Sequence, residues 1–225
     1  MARNDYQQQL TELRDRVLEM SDLVCHRLER ALEALEAKDD ELAEQIIAGD
    51  HEINELYLEI EQTCIELFAL QQPVAGDLRF IAASFKIITD LERIADLAVN
   101  LGEYTLQAER DRYSEIDIGY IGSQTVEMVE MAMDAYAEDD PGTTHDIAAL
   151  DDEIDALCEN ASQVVVRSVL EAGTGAVEGV EDEALLDDVS RMLLTIRDLE
   201  RVGDHAVNIA ARTLYMVEND DELIY

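Results

Sequence analysis

The sequence is short of nearly everything that would break a helix or tie the chain covalently. It has no tryptophan, three phenylalanines and two prolines (Pro73 and Pro141), and only 10 of its 225 residues are glycine. Long helices follow naturally from a composition led by Ala, Leu and Glu. Three cysteines, Cys25, Cys64 and Cys158, make an odd count with no Cys-x-x-Cys pair. A disulfide framework and a thiolate zinc site are therefore excluded, and buried reduced thiols are expected. No run of 18 uncharged apolar residues occurs; the stretch from Phe80 to Ile88 is interrupted by Lys86. No apolar run follows Met1-Ala2-Arg3-Asn4-Asp5, so a signal peptide is not expected and the location read from the sequence is cytoplasmic.

Positive charge is also scarce. Lys and Arg total 16 against 53 Asp and Glu, a net of −37. No basic patch is present to bind nucleic acid or anionic lipid, so neither nucleic acid nor direct membrane insertion is expected. Hydrophobic residues nonetheless make up 48% of the chain, enough for a buried core. The charge therefore reads as the solvated surface of a halophile rather than as disorder. Molar salt shortens the Debye length to about 3 Å and screens the self-repulsion, so the fold should weaken in dilute buffer. Catalytic signatures are missing as well. There is no Gly-rich phosphate loop, no Glu-x-x-His of a ferritin-like di-iron site, and no Ser or Cys nucleophile with an evident partner. The chain does not read as an enzyme.

What is present is helical periodicity. Leu10, Leu13, Val17, Met20, Val24, Leu28, Ala31 and Leu35 form one stripe, with Asp5 and Gln8 as a capping box. Leu42, Ile46, Ile53, Tyr57, Ile60, Cys64 and Leu67 form a second, ending near Gln71-Gln72-Pro73. A third helix is expected from Asp77 to about Arg110, and a fourth from Ser114 to Asp139. Asp140-Pro141 signals the start of a fifth, as N-cap and first helical residue. It should end near Ala172, before the Gly-rich loop at 173–179, and a sixth should run from about Asp182 to Val217. The expected fold is all-α, two tandem three-helix bundles spanning 1–112 and 113–225, with a short charged junction at Glu109 to Glu115.

The two halves are copies. DLERIADLAVN at Asp90–Asn100 returns as DLERVGDHAVN at Asp198–Asn208, eight of eleven positions identical and 108 residues on. A weaker echo, Asp50 to Leu56 against Asp151 to Leu157, is offset by 101. Each copy carries acidic residues four apart: Glu92 and Asp96, then Glu200 and Asp204. On a helix these share a face, where like charges repel by a few tenths of a kcal/mol. Asn100 and Asn208 continue the same face. The upstream echo supplies Asp151 and Asp155, with Asp50 and Asn54 as counterparts. Folding each hairpin about its turn sets Asp50 opposite residue 97 and Asn54 opposite 93, and sets Asp151 and Asp155 opposite 203 and 199. Both hairpins thus bring their acidic pairs to one level. Oxygen donors of this kind suit a divalent or trivalent cation: iron, manganese, magnesium, calcium or zinc. Arg93 and Arg201 lie within the motif and offer the alternative of a salt-bridged surface.

These residues, together with Gln72-Pro73-Val74-Ala75-Gly76-Asp77-Leu78-Arg79, resemble the PhoU family of accessory regulators of phosphate-specific transport, over essentially the whole chain. The resemblance implies two pseudo-symmetric three-helix bundles and metal held by acidic motifs on adjacent helices. It implies negative regulation of phosphate uptake through the ATPase of a phosphate ABC transporter and, in bacteria, through a phosphate-sensing kinase, and it implies a homodimer. Carried over by position, the metal ligands are Asp50, Glu92 and Asp96 in the first half and Asp151, Asp155, Glu200 and Asp204 in the second. Asn54 stands where an acid would complete the first set, so that site is expected to be the weaker. The second half has no counterpart of Pro73 to Arg79, and Asp77 reads equally as a helix N-cap or as a ligand. Two other functions fit the residues alone: a metal-storage or metal-sensing bundle, and a structural helical interaction module.

Overall fold

The computed structural model describes residues 2–70, 74–108, 115–172 and 180–224, and no strand occurs among them. The apolar stripes wind into α1 (Ala2–Ala37), α2 (Asp40–Ala48), α3 (Asp50–Leu70), α4 (Ala75–Leu106), α5 (Ile118–Glu138), α6 (Thr144–Ala172) and α7 (Val180–Glu218). The expected second helix is thus two pieces broken at Gly49, whose N–H still bonds back to the Gln45 carbonyl. Gln71 to Pro73, the 109–114 junction and the loop at 173–179 lie outside the described residues.

Two expected helix caps do not form. Asp5 is not a capping residue, because α1 is already helical from Ala2, and Gln8 turns instead to Glu12 at 2.8 Å. Asp140 does not cap α6. Its Oδ1 accepts the Gly142 N–H at 2.8 Å and closes a local turn, and the helix begins four residues later at Thr144. An aspartate before Pro-Gly serves either geometry, and here the turn wins.

Within the first half α1, α3 and α4 pack together; within the second α5, α6 and α7 do. The halves join along α4 and α7, supported by α1 against α5. α4 and α7 run antiparallel: Arg79 at the start of α4 reaches the Met216 carbonyl at the end of α7, and Arg191 near the start of α7 donates to the Gln107 carbonyl beyond the end of α4. Leu28, Ile60, Ile87, Leu91 and Ile94 fill the first core, and Met128, Ile154, Leu199 and Val202 the second, all fully buried. Each such side chain contributes about 1.5–3 kcal/mol.

The halves superpose in detail. The buried positions of α5, from Ile118 to Ala135, fall 101 residues after those of α1, from Val17 to Ala34. Lys38 and Asp139, in the same register, both take the left-handed conformation, at φ 54° and 53°. That residue ends the first rod of each half and turns the chain into the next.

All three cysteines are buried and free. Burial, reinforced by neighbouring carboxylates, pushes each thiol up to about 12. The folded protein should therefore resist a thiol reagent at pH 8, with all three groups reacting at once in denaturant. Rapid labelling of any one in the folded state would contradict this core.

Candidate metal-binding faces

The motif helices α4 and α7 present their acidic residues toward the preceding helix of the same half. In the second half the expected level is met: a Cβ placed on Gly203 would lie 2.8 Å from Asp151 Oδ1. Asp151 sits against the backbone of α7, where the α6–α7 hairpin sets it opposite residue 203. Its Oδ1 is buried and has no hydrogen-bond partner. Burial, then Asp155, Asp204, Asp152 and Glu200, push the carboxyl up to about 7. Asp155 and Glu200 are raised for the same reasons, burial first and then their acidic neighbours. The four carboxylates of this face thus act on one another. None of them has an ion-pair partner among the described residues.

In the first half Asp50, Glu92 and Asp96 also come together. Burial raises Glu92 and then Asp96 adds to it; burial likewise raises Asp96, followed by Asp50. Here, however, cations intervene. Arg93 lies 3.5 Å from both Glu92 and Asp96, and Arg27 lies 3.5 Å from Asp50. Asn54 donates to Asp50 Oδ2 at 2.7 Å. Among the described residues no three His, Cys, Asp or Glu side chains converge into a closed metal shell as they stand. The faces are gatherings of repelling oxygens rather than locked cages.

The first aspartate of each motif does something else. Asp198 is fully buried and accepts from Asn100 at 3.0 Å and Tyr104 at 2.8 Å, both on α4 of the other half. Arg197 caps its second oxygen at 2.7 and 3.0 Å. Reciprocally, Asp90 faces His205 at 2.9 Å and Asn208 at 3.4 Å on α7. Asn100 and Asn208 therefore do not extend the acidic faces; they stitch the α4–α7 seam. Arg201 lies 3.9 Å from Asp198 rather than on its own acidic face.

Arg27, Asp90, Asp198 and Tyr104 were not singled out in the sequence. The reciprocal Asp…Asn spacing of the two motifs marks the seam only once α4 and α7 are known to run antiparallel; nothing marked Arg27. Asp77 is not an N-cap, a place taken by Val74 without a side-chain bond. It lies in the first turn, where a carboxylate favours the helix dipole.

The family model described as "PhoU domain" matches twice, over residues 17–105 and 119–213. The chain belongs to the PhoU family. A Clostridium acetobutylicum protein named as a phosphate-specific transport system accessory protein PhoU homolog is 30% identical over 220 residues, 96% of each chain. A Pseudomonas aeruginosa protein of the same name is 32% identical over 95% of this chain and 85% of its own. Among solved structures, PhoU from Pseudomonas aeruginosa matches with a TM-score of 0.87 at 31% identity, covering 96% of this chain and all of that one. The phosphate transport system regulatory protein PhoU from Streptococcus pneumoniae gives 0.84 at 28%, covering 96% and 98%. The PhoU fold thus extends over 96% of the chain. No described helix is long and apolar enough to cross a membrane.

Proposed function

We propose that this PhoU protein is a non-enzymatic negative regulator of phosphate uptake. In this reading it acts in the cytoplasm, as a homodimer, on the ATPase of a phosphate ABC transporter and, where one exists, on a phosphate-sensing kinase. The observation that carries this is the double family match at 17–105 and 119–213, in a chain that aligns with transport accessory proteins over nearly its whole length. A surface of net charge −37 suits a halophile's cytoplasm.

The acidic faces are read as metal sites. The fit rests on Asp151, whose buried Oδ1 has no partner and whose neighbours all carry the same charge. Asp151, Asp155, Glu200 and Asp204 would hold the cation of the second half, and Asp50, Glu92 and Asp96 that of the first. The donors are all oxygen, which suits iron, manganese, magnesium or calcium and admits zinc. A bound cation would supply positive charge that cancels the repulsion. The residues themselves position the oxygens, and with a cation bound they would link α3 to α4 and α6 to α7.

Affinity purification in molar salt from phosphate-replete cells should recover the transporter ATPase. Recovery of no transporter component would count against the adaptor role. Elemental mass spectrometry should find near-stoichiometric metal in the parent, falling by at least about tenfold in the Asp96→Ala, Asp204→Ala double variant. Equal metal in both would remove the metal reading and leave the adaptor.

A further inference from the structure

Aligned on their shared core, the two faces differ at several positions, and four of the differences have the same sense. Arg27 of α1 occupies the place that Met128 holds in α5. Met128 is fully buried core, and Arg27 is itself only 9% exposed, so a guanidinium stands where the fold elsewhere has a thioether. Gly49 replaces Leu150, which lies inside the continuous α6; at the break the Gly49 carbonyl accepts the Glu52 N–H at 3.2 Å and Arg27 Nη2 at 2.7 Å. Asn54 replaces Asp155. Ala95 replaces Gly203 and sets a methyl where the second half lets Asp151 lie against the helix.

The first face is therefore already supplied with positive charge. Arg27 Nη1 points at Asp50 Oδ1 from 3.5 Å and makes no hydrogen bond, and Nη2 lies 3.9 Å from Glu52. Arg93 covers Glu92 and Asp96 from the solvent side. The second face has no arginine at the place of Arg27, and Arg201, the counterpart of Arg93, lies against Asp198 instead. Its glycine is costly in mid-helix, and what it permits is the close seat of Asp151.

We infer that the two faces are unequal by construction: the second takes an exogenous divalent or trivalent cation, while in the first the Arg27 guanidinium is the resident counter-charge. This rests on the metal reading above and narrows it: the tight site lies in the second half, and the first-half set of Asp50, Glu92 and Asp96 binds far more weakly. A cation entering the first face would meet a positive group that cannot withdraw, because Arg27 is wedged at a core position. It would also find an amide where the second face offers a carboxylate. An affinity difference of about 100-fold or more follows, since altering even outer partners of a metal site costs about 10–100-fold.

The test is calorimetric titration of the chelator-stripped full chain with MnCl2 in constant molar salt. Glu92→Gln with Asp96→Asn should leave the tight binding event within about threefold of the parent, whereas Asp155→Asn with Asp204→Asn should weaken it by about 100-fold. Arg27→Met, which copies the second half, should add a second binding event. Gly203→Ala is the gentler variant if Arg27→Met fails to fold. It should weaken manganese binding by about tenfold yet raise the melting temperature of the cation-free protein, since alanine is the better helix former. Equal loss from the two double variants, or unchanged affinity in Gly203→Ala, overturns the inference while metal binding stands. No manganese uptake by the intact chain sinks the metal reading itself, and this assignment with it.

Discussion

Asp198→Ala is expected to lower the midpoint of thermal unfolding by about 5–10 °C. The carboxylate is fully buried at the seam and serves as acceptor for Tyr104, Asn100 and Arg197. Removing it leaves the Tyr104 hydroxyl and the Asn100 amide without a partner, at a combined cost of about 2–3 kcal/mol. Each kcal/mol shifts the midpoint of a chain this size by about 2–4 °C. Arg197 is more than half exposed and returns to water. Burial, helped by the bond to Asp198, pushes the Tyr104 phenol up to about 12, so it stays a donor at any working pH. Asp90→Ala should cost roughly half as much, because its bond to Asn208, at 3.4 Å, is near the useful limit. Circular dichroism melts in fixed molar salt decide this. A silent Asp198→Ala, or one matched by Asp90→Ala, would mean that apolar packing alone holds the seam.

Stripped of cations, the protein should lose stability as the pH rises from about 4 to about 7, opposite to a protein held by salt-bridged acids. The reason is Asp151, raised from 3.8 to about 7 by burial and by four acidic neighbours. A carboxyl raised on folding binds its proton more tightly in the folded state. Its contribution is fully present below the unfolded value and is lost as the pH climbs through the folded one. Discounted for the solvent that reaches the group, the effect is about 1–2 kcal/mol, or about 2–8 °C. Asp151→Asn should match the parent near pH 4 and exceed it at pH 7.5 in chelator. With manganese present at pH 7.5 the order should reverse. Parallel pH curves for parent and variant would remove Asp151 as the cause.

Most of the fold was legible because it follows from period and arithmetic. A 3.6-residue stripe gives each rod, the doubled motif gives the second bundle, and counting back from the hairpin turn sets Asp151 opposite residue 203, where it is found. The features that escaped depend on contacts between rods. Asp-Pro reads the same whether it caps a helix or, as at Asp140, closes a turn before one. A single Gly49 inside a good stripe does not announce a break. Arg27 carries no mark in a charge-rich chain until α1 is laid beside α3 and its position proves to be core. The crossing of Asp198 to Asn100 requires knowing that α4 and α7 run antiparallel, which neither helix states alone.

The α4–α7 seam has the form of an isologous contact. Residue Asp90 of one copy meets Asn208 of the other, and Asn100 meets Asp198, as in a twofold dimer made of two identical chains. Here the two partners share one backbone, so their encounter is unimolecular. Their effective concentration is set by the linking segment rather than by expression level. The pairing therefore survives any dilution, and each copy is released from having to stay identical to the other. One set of carboxylates can then carry a buried arginine while its twin carries a methionine.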